Sequence, residues 1–361
     1  MDDPRRAGTA SAVLRAILDN GPVARSTVGR HTGLSPAAVS KQCAELAALG
    51  LVRERPVRRT RATIGRPHVP VDVDTVTHVV GGVHIGLSRV TYVLMDLRGQ
   101  VLAELRVAHE DPAPAPLLAG IGDRMAAFVR EHAGARRPLG IGLATGGWVD
   151  PIHGVIVRHG PLGWRDVPAR AALERRLGLP VHVESHSRAL ARAEQLIGAH
   201  RHRARASLVH MFVGNVVDAA IATGGAVHHG PGSAAGDVSH LPVGGSTPCP
   251  CGRRGCFQAT VADRTLGIRE RVRLVGRAAA LLLDVINPEI LVVTDAGLAR
   301  RPELIDDLRA EVARRSHLGQ RADAVVAGSF GTQALGVAAG SVALHEVYTR
   351  PLAARNAAHA S

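Results

Sequence analysis

Apolar residues in the first fifty positions recur at helical spacing and predict three helices. Ser11 is placed to cap the first helix, which ends near Asn20, and the second covers about residues 25–32 and stops at Gly33. Ser35, followed by a proline suited to the first helical position, caps the third. The apolar face of this third helix contains Val39, Cys43, Leu46 and Leu49.

The order of helix, short helix, Gly-Leu-Ser turn and helix is typical of a helix-turn-helix, whose last helix enters the major groove of DNA by its N-terminal residues. We therefore predict a set of positions at the start of the third helix that meet base edges or phosphates. They are Ser35, Ala37, Ser40, Lys41 and Gln42.

A β-hairpin wing is predicted after the third helix, because Val69, Val71 and Val73 alternate with polar residues or proline. Arginines near its tip would contact the DNA backbone and the minor groove. They are Arg58, Arg59, Arg61 and Arg66. The alternative is a solvated basic linker between two domains. With the three helices, the wing makes residues 1–72 a winged helix-turn-helix DNA-binding domain.

From about residue 77 the pattern changes to short β-branched strands alternating with helices. The predicted strands are 78–87, 90–97, 101–108, 139–144, 181–183, 208–213, 217–223, 226–229, 290–294 and 324–328. The predicted helices are 117–132, 167–177, 187–197, 262–266, 274–286, 302–315 and 333–348. Two units of meandering strands followed by helices indicate an α/β protein of two similar lobes with a cleft between them.

The composition of the chain indicates the kind of partner it binds and the compartment in which it works. The 361-residue chain is 46% apolar and carries a net charge of +13. Nearly all of the positive charge is arginine, and Lys41 is the only lysine. Such an excess favours a polyanionic partner such as nucleic acid, although an arginine-rich composition alone would also produce it. Neither a membrane-spanning run of about 18–20 apolar residues nor a hydrophobic leader is found, so we expect a cytoplasmic protein without membrane association.

Three of the four cysteines form a C-x-C-x4-C array among Gly and Pro residues, close to a histidine. Cys249, Cys251, Cys256 and His240 would complete a tetrahedral zinc sphere, which leaves no position for a catalytic water, so the predicted role is structural. A disulfide or free thiols are the alternatives, but three is an odd number for bridging. Cys43 falls on the buried helix face and is predicted to be a core residue.

Taken together, these motifs resemble the ROK family of sugar kinases and sugar-responsive repressors, in its transcriptional-regulator branch. The resemblance covers nearly the whole chain. It rests on Gly-Leu-Ser-Pro-Ala-Ala-Val-Ser at residues 33–40, Gly65-Arg66-Pro67, Gly147-Trp148-Val149-Asp150-Pro151, Gly163-Trp164, Leu177-Gly178-Leu179-Pro180, and His240 with its cysteine loop.

The resemblance implies an actin-like ATPase fold for residues 73–361. Lobe 1 would comprise about residues 76–185 with the C-terminal helix 333–349, and lobe 2 about residues 186–332 with the zinc loop 240–256. It also implies a homodimer or homotetramer that pairs two helix-turn-helix units on an operator.

Departures from the kinases argue against phosphoryl transfer. His84 replaces the phosphate-binding aspartate, and Ser185-His186 replaces the Asn-Asp pair that holds the general base. The segment Gly214-Asn215-Val216-Val217-Asp218 replaces a glycine-rich phosphate turn, and its acid and β-branched side chains would repel and crowd a phosphate. We therefore expect neither ATP binding nor enzyme activity.

The sugar-binding positions are altered as well. The acid of the family's Glu-x-Gly-His motif is Asp237, the acid two residues after the last cysteine is Gln258, and an asparagine is replaced by Gly160. The remaining residues predicted to bind a sugar or sugar-phosphate effector are His186, Asp237 and His240. Several histidines fall near the cleft, but no pair has metal-ligand spacing on one element, which argues against a second metal site.

The sequence thus predicts a DNA-binding transcriptional regulator, with a repressor favoured over an activator. Its second domain would bind an effector, form oligomers and hold a structural zinc, without kinase activity. One alternative is a sugar kinase with an added DNA-binding head. The other is an orphan regulator without a sugar effector.

Overall fold

The computed structural model describes residues 4–55, 69–263 and 265–353. Its N-terminal part contains α1 (Pro4–Asn20), α2 (Arg25–Thr32), α3 (Pro36–Ala48), β1 (Val52–Glu54) and β2 (Val71–Val73). The two strands pair antiparallel, as predicted for a wing. Arg58, Arg59, Arg61 and Arg66, assigned to the wing tip, lie outside the described residues.

Local capping explains the end of α2 and the start of α3. Gly33 ends α2 with a φ of 70°, a left-handed conformation that glycine adopts without strain. Ser35 caps α3, because its Oγ accepts a hydrogen bond from the N–H of Ala38 at 3.3 Å. The predicted cap of α1 was wrong: the helix begins seven residues earlier, and Ser11 instead donates to the carbonyl of Tyr348 at 2.7 Å.

The middle of the chain forms a mixed five-stranded sheet, a small sheet and flanking helices. Its elements are β3 (His78–Ile85), β4 (Arg89–Met95), β5 (Val101–Ala108), α4 (Pro114–His132), β6 (Arg137–Thr145), β7 (Trp148–Asp150), β8 (Val155–His159), β9 (Trp164–Val167), α5 (Ala169–Leu177) and β10 (Val181–Ser185). The large sheet has the order β10-β6-β3-β4-β5. The three-stranded sheet β7-β8-β9 was not predicted, since its short strands do not alternate clearly.

A second five-stranded sheet follows in the order β13-β12-β11-β14-β15. The elements of this part are α6 (His186–Ile197), α7 (Arg201–Ala206), β11 (Ser207–Val213), β12 (Val217–Thr223), β13 (Ala226–Val227), α8 (Phe257–Val261), α9 (Ile268–Ile286), β14 (Ile290–Asp295), α10 (Ala296–Arg300), α11 (Leu304–Arg315), β15 (Val325–Ala327) and α12 (Ala334–Thr349). The two sheets give the predicted two-lobed α/β architecture.

The helix predicted at 262–266 was wrong. The helix of this region ends at Val261, and the side chain of Asp263 then accepts hydrogen bonds from the N–H and the hydroxyl of Thr265. Such local side-chain bonds compete with helical ones and favour a turn.

Helix α12 packs across β3 and β6 and also against α6, so it joins the two halves of the fold. The close approach requires glycine: a Cβ on Gly142 would lie 2.0 Å from the carbonyl oxygen of Ala339. Among the described residues, no helix is both long and apolar enough to cross a membrane.

The N-terminal unit shares a hydrophobic core with the first large sheet. Leu14 and Ile17 of α1 belong to the same buried cluster as Leu97 and Tyr348. Polar contacts continue the junction, because the hydroxyl of Ser11 on α1 donates to the carbonyl of Tyr348 on α12 at 2.7 Å. The winged helix is therefore fastened to the rest of the fold.

Candidate functional site

The N-terminal end of α3 presents an open polar face. Ser35, Ala37, Ser40 and Lys41 are exposed, as predicted. Gln42 was wrongly placed on this face: only 5% of it is exposed. The reason is helical geometry, since Gln42 lies three residues after Val39 and so falls on the buried stripe.

Helix α2 is fastened beside the wing by an ion pair between Arg25 and Glu54, with an N–O distance of 2.6 Å. At the base of the wing, the carboxylate of Asp72 bonds both Arg55 and Arg98. Arg98 lies between β4 and β5, so this contact links the wing to the first large sheet. None of these three ion pairs was predicted from the sequence, because each joins residues that are distant along the chain.

The cysteine loop brings its four predicted ligands together. One ligand atom from each of His240, Cys249, Cys251 and Cys256 lies within 4.8 Å of the other three. The Sγ atoms of Cys251 and Cys256 are 3.6 Å apart, and so are Sγ of Cys249 and Nδ1 of His240. Zn–S bonds of about 2.3 Å give tetrahedral edges of nearly this length, so the four residues could hold a metal ion.

Backbone bonds within the loop shape this cluster. The N–H of Cys249 donates to the carbonyl of Arg253 at 2.8 Å. A hydrogen bond from the backbone of Arg253 lowers the pKa of Cys251 to about 6, whereas burial raises that of Cys256 to about 11. A thiolate is therefore available beside a protonated thiol whose proton a cation would displace.

Gln258 connects the cysteine loop to the turn between β11 and β12. Its Oε1 accepts from the N–H of Val217 at 2.6 Å, and its Nε2 donates to the carbonyl of Asn215 at 2.8 Å. In the same turn, the N–H of Gly214 donates to the carbonyl of Val216. Two backbone N–H groups of this turn, which could otherwise bind a phosphate, are thus already bonded within the protein.

His84 on β3 and His186 at the start of α6 are both buried and lie close together. The ring centroids of His84 and His186 are 5.8 Å apart with an interplanar angle of 14°. Phe212 closes the far side of His186 at a centroid distance of 4.1 Å. Burial lowers the pKa of His84 to about 4 and holds the pKa of His186 well below its usual value, which favours the neutral form of both imidazoles.

The partly buried carboxyl group of Asp218 lies next to this pair. Oδ2 of Asp218 accepts a hydrogen bond from the hydroxyl of Ser187 at 2.6 Å. Burial raises the pKa of Asp218 to about 7, more than this bond and the charge of Arg188 lower it. The carboxyl group of Asp218 therefore keeps its proton to a higher pH than an ordinary aspartate does.

Arg188 crosses the cleft and fixes its two walls. Its Nε donates to Glu184 at 2.6 Å, Nη2 to the carbonyl of Val149 at 2.8 Å and Nη1 to that of Ser233 at 3.1 Å. Trp148 adds a bond from Nε1 to the carbonyl of Gly232 at 2.7 Å. Glu184 and Arg188 are four residues apart but lie on β10 and α6, and the partners of Arg188 at Val149 and Ser233 do not follow from spacing along the chain.

The three predicted effector residues are differently placed. His240 belongs to the cysteine cluster, Asp237 is exposed, and His186 is only 3% exposed. Asp237 is near enough to Asp218 for its charge to raise the pKa of that acid. The three side chains thus border one region of the fold without forming an open pocket.

Comparison with known proteins identifies both parts of the chain. The ROK family matches residues 80–274 and the MarR family matches residues 7–62. A transcriptional regulator of Mycobacterium tuberculosis is 32% identical, with 96% of this chain and 87% of that protein covered. The xylose repressor of Bacillus subtilis is 21% identical over 85% of this chain and 87% of its own length.

Solved structures agree on the fold. A ROK family transcriptional regulator described as a homologue of the Escherichia coli MLC protein superposes with a TM-score of 0.80 at 20% identity, covering 99% of this chain and 100% of that one. The ROK hexokinase of Thermus thermophilus gives 0.60 at 24% identity over 74% of this chain and 99% of that one. The chain therefore belongs to the ROK family, as a DNA-binding transcriptional regulator with a MarR-type winged helix ahead of its ROK domain.

Proposed function

We propose that the chain binds an operator as a repressor, through the N-terminal face of α3 and the wing. The observation that carries this proposal is the exposed group Ser35, Ala37, Ser40 and Lys41 at the start of a capped helix. Arg58, Arg59, Arg61 and Arg66 would add contacts to the backbone and the minor groove. Gln42 would pack on the buried side of α3 and would not contact a DNA base.

A gel-shift titration with operator and unrelated DNA tests this role. Lys41→Ala should weaken operator binding by about 1–3 kcal/mol if the amine reads a base, and weaken binding to both DNAs equally if it holds a phosphate. Arg130→Ala, on the exposed face of α4, removes the same charge far from α3 and is the matched control. Unchanged operator binding after deletion of residues 1–72 would contradict the proposal.

The ROK domain would act as an effector and oligomerisation domain without kinase activity. The turn that binds phosphates in the kinases is held by Gln258, and Asp218 adds an acid to it. With His186 in place of the base and buried against Phe212, its imidazole would not be free to accept a proton from a bound hydroxyl. A coupled assay for ATP-dependent phosphorylation of hexoses and amino sugars should show no turnover, and turnover would favour the sugar-kinase alternative.

The cysteine cluster would hold a structural zinc ion. His240, Cys249, Cys251 and Cys256 supply four ligands and leave no open position, so the metal would fix the loop that carries Gln258. Metal analysis of purified protein should give one zinc per chain at this site.

A sugar or sugar-phosphate effector would bind beside Asp237, His240 and His186, with the protein acting as a homodimer or homotetramer on two operator half-sites. Arg188 and Trp148 bridge the walls of the cleft, so an effector would act by opening these contacts. A thermal-shift screen separates a sugar-responsive regulator from an orphan regulator without an effector. A sugar that binds should raise the melting temperature, because a ligand at about 100 times its Kd adds about 2.7 kcal/mol of stability.

A further inference from the structure

A cavity of about 310 Å³ lies between α4 and the hairpin of β4 and β5, on the first large sheet. Ligand pockets in proteins begin at about 300 Å³, so this cavity suits a small molecule. Its walls are mostly apolar and include Val90, Tyr92, Val107, Pro116, Leu117 and Ile121. None of its lining residues belongs to the cysteine cluster or to the region assigned to a sugar effector.

Two hydrogen-bond donors at this cavity are uncommitted. Tyr92 is only 3% exposed, yet its hydroxyl has no hydrogen-bond partner in the part of the chain that the structure describes. Burial raises the pKa of Tyr92 to about 12, more than the charge of Arg124 lowers it, so the hydroxyl keeps its proton. The guanidinium of Arg124 is exposed and forms no ion pair with any described residue. A carboxylate accepts hydrogen bonds from both groups.

The other end of the cavity carries acceptors. Nε2 of His109 lies 2.9 Å from the carbonyl of Gly86, so it holds the ring proton, and Nδ1 is a buried acceptor without a partner among the described residues. Asp111 precedes α4, whereas Arg124 lies roughly 15 Å along the axis of α4 from its first residue. A carboxylate would therefore be repelled at the His109 end and attracted to the Arg124 end, which orients the ligand.

A glycine in the wall of the cavity supports a ligand. Helix α4 contains Gly120 and Gly122. Packing explains Gly122, because a Cβ there would lie 2.6 Å from Cγ of Arg176. A Cβ on Gly120 would meet no other described atom within 4 Å, and Gly120 lines the cavity. Glycine within a helix is less favourable than alanine, so packing does not account for Gly120, whereas a cavity that must stay open does.

We propose that the cavity between α4 and the β4–β5 hairpin binds a small monocarboxylate with an apolar body. Arg124 and the hydroxyl of Tyr92 hold the carboxylate, and the body packs against Leu117 and Ile121. The site is a second small-molecule site, and it depends neither on operator binding nor on the sugar effector.

Calorimetric titration of the full chain with phenylacetate and with hexanoate, each beside its neutral amide, tests the site. Wild type should bind at least one of the acids, and its amide about 10- to 100-fold more weakly, the usual effect of a charge-assisted hydrogen bond. Arg124→Gln should remove this preference for the acid. Arg130→Gln, at an exposed position of α4 outside the cavity, is the matched control and should keep it. Failure of wild type to bind either acid, or equal affinity for acid and amide, would overturn the proposal.

Gly120→Leu locates the bound acid. The new side chain enters the cavity without meeting other atoms, so it should abolish binding, while the melting temperature should not fall because leucine favours the helix. Ala127→Leu adds the same bulk at an exposed position of α4 outside the cavity and should leave binding unchanged. An acid that binds Gly120→Leu as tightly as wild type would lie elsewhere, and the proposal would be wrong.

Discussion

The cysteine loop and the interlobe cleft assemble polar side chains in opposite ways. All four members of the cysteine cluster lie within residues 240–256, where glycines and short backbone bonds bring them together. The cleft draws His84, His159 and His186 from three separate elements. Chemistry encoded within one loop can be predicted from spacing, while chemistry assembled by the fold cannot. The same division explains which variants should have local effects and which should couple distant parts.

The largest effect is expected at the loop. Cys251→Ser, or chelation of wild type, should remove the cluster metal and cost several kcal/mol, because structural zinc contributes directly to folding free energy. The damage should spread to the β11–β12 turn, since Gln258 follows the loop and holds Val217. Hydrogen exchange of the Val217 amide and metal analysis give the two readouts.

Cys43→Ala is the control for loss of a thiol. Cys43 is buried in the core of the winged helix, so this variant should lower stability through packing and keep the metal. If Cys251→Ser kept its metal, or exchange at Val217 were unchanged in the metal-free protein, the proposed link between loop and cleft would be contradicted.

The second-largest effect is expected at Asp218, beside the two buried histidines, and concerns the dependence of stability on pH. Asp218 has a pKa of about 7 in the folded chain because of burial, against about 3.9 when unfolded. The folded state binds its proton more tightly, so stability falls as pH rises from about 4 to about 7. Asp218→Asn should remove that dependence and gain about 2–4 kcal/mol relative to wild type near pH 8.

Urea unfolding from about pH 5 to about pH 8 measures the difference between the two slopes. Metal loss from the cysteines at the acid end is common to both proteins and cancels. Asp306→Asn, whose side chain is 82% exposed, is the control and should follow wild type. Parallel slopes for Asp218→Asn and wild type would mean that Asp218 is ionised throughout.

The sequence predicted the locally determined parts of the fold well. The end of α2 follows from Gly33, the start of α3 from Ser35, and the grouping of the four predicted metal ligands from their spacing. The identity of the metal and the contacts to DNA remain predictions.

Errors and omissions arose where tertiary contacts override local pattern. Ser11 has the character of a cap, but its hydroxyl meets Tyr348. Gln42 is polar, yet it lies on a buried stripe. The contact between His84 and His186 depends on how β3 and α6 come together, which no spacing along the chain records.

A third, smaller effect concerns the junction of the winged helix with the rest of the chain. Asp19, at the end of α1, accepts bonds from Arg201 at 3.1 Å and Arg205 at 2.5 Å, both on α7. Burial opposes ionisation of Asp19, but these bonds outweigh it and lower the pKa of the carboxyl. Asp19→Asn should cost about 1–3 kcal/mol and loosen α1 from α7.

Hydrogen exchange in α1, with Asp123→Asn as an exposed ion-pair control, measures this loosening. If the fold couples the two regions, Asp19→Asn should also change operator affinity although Asp19 is not among the residues assigned to DNA. Unchanged exchange and unchanged affinity would show that the shared apolar core alone holds the winged helix.

The smallest effect is expected at Ser35, the residue that caps the start of α3. Ser35→Ala removes the bond to the N–H of Ala38 and should cost about 1 kcal/mol, the usual value of an N-cap. Ser40→Ala, one turn later on the exposed face, should leave stability unchanged and weaken operator binding if its hydroxyl meets DNA. Urea unfolding and gel-shift titration of both variants separate the two roles. Equal losses of stability in both would mean that α3 is weakened by any change at its N-terminal end, and that binding defects there do not report contact with DNA.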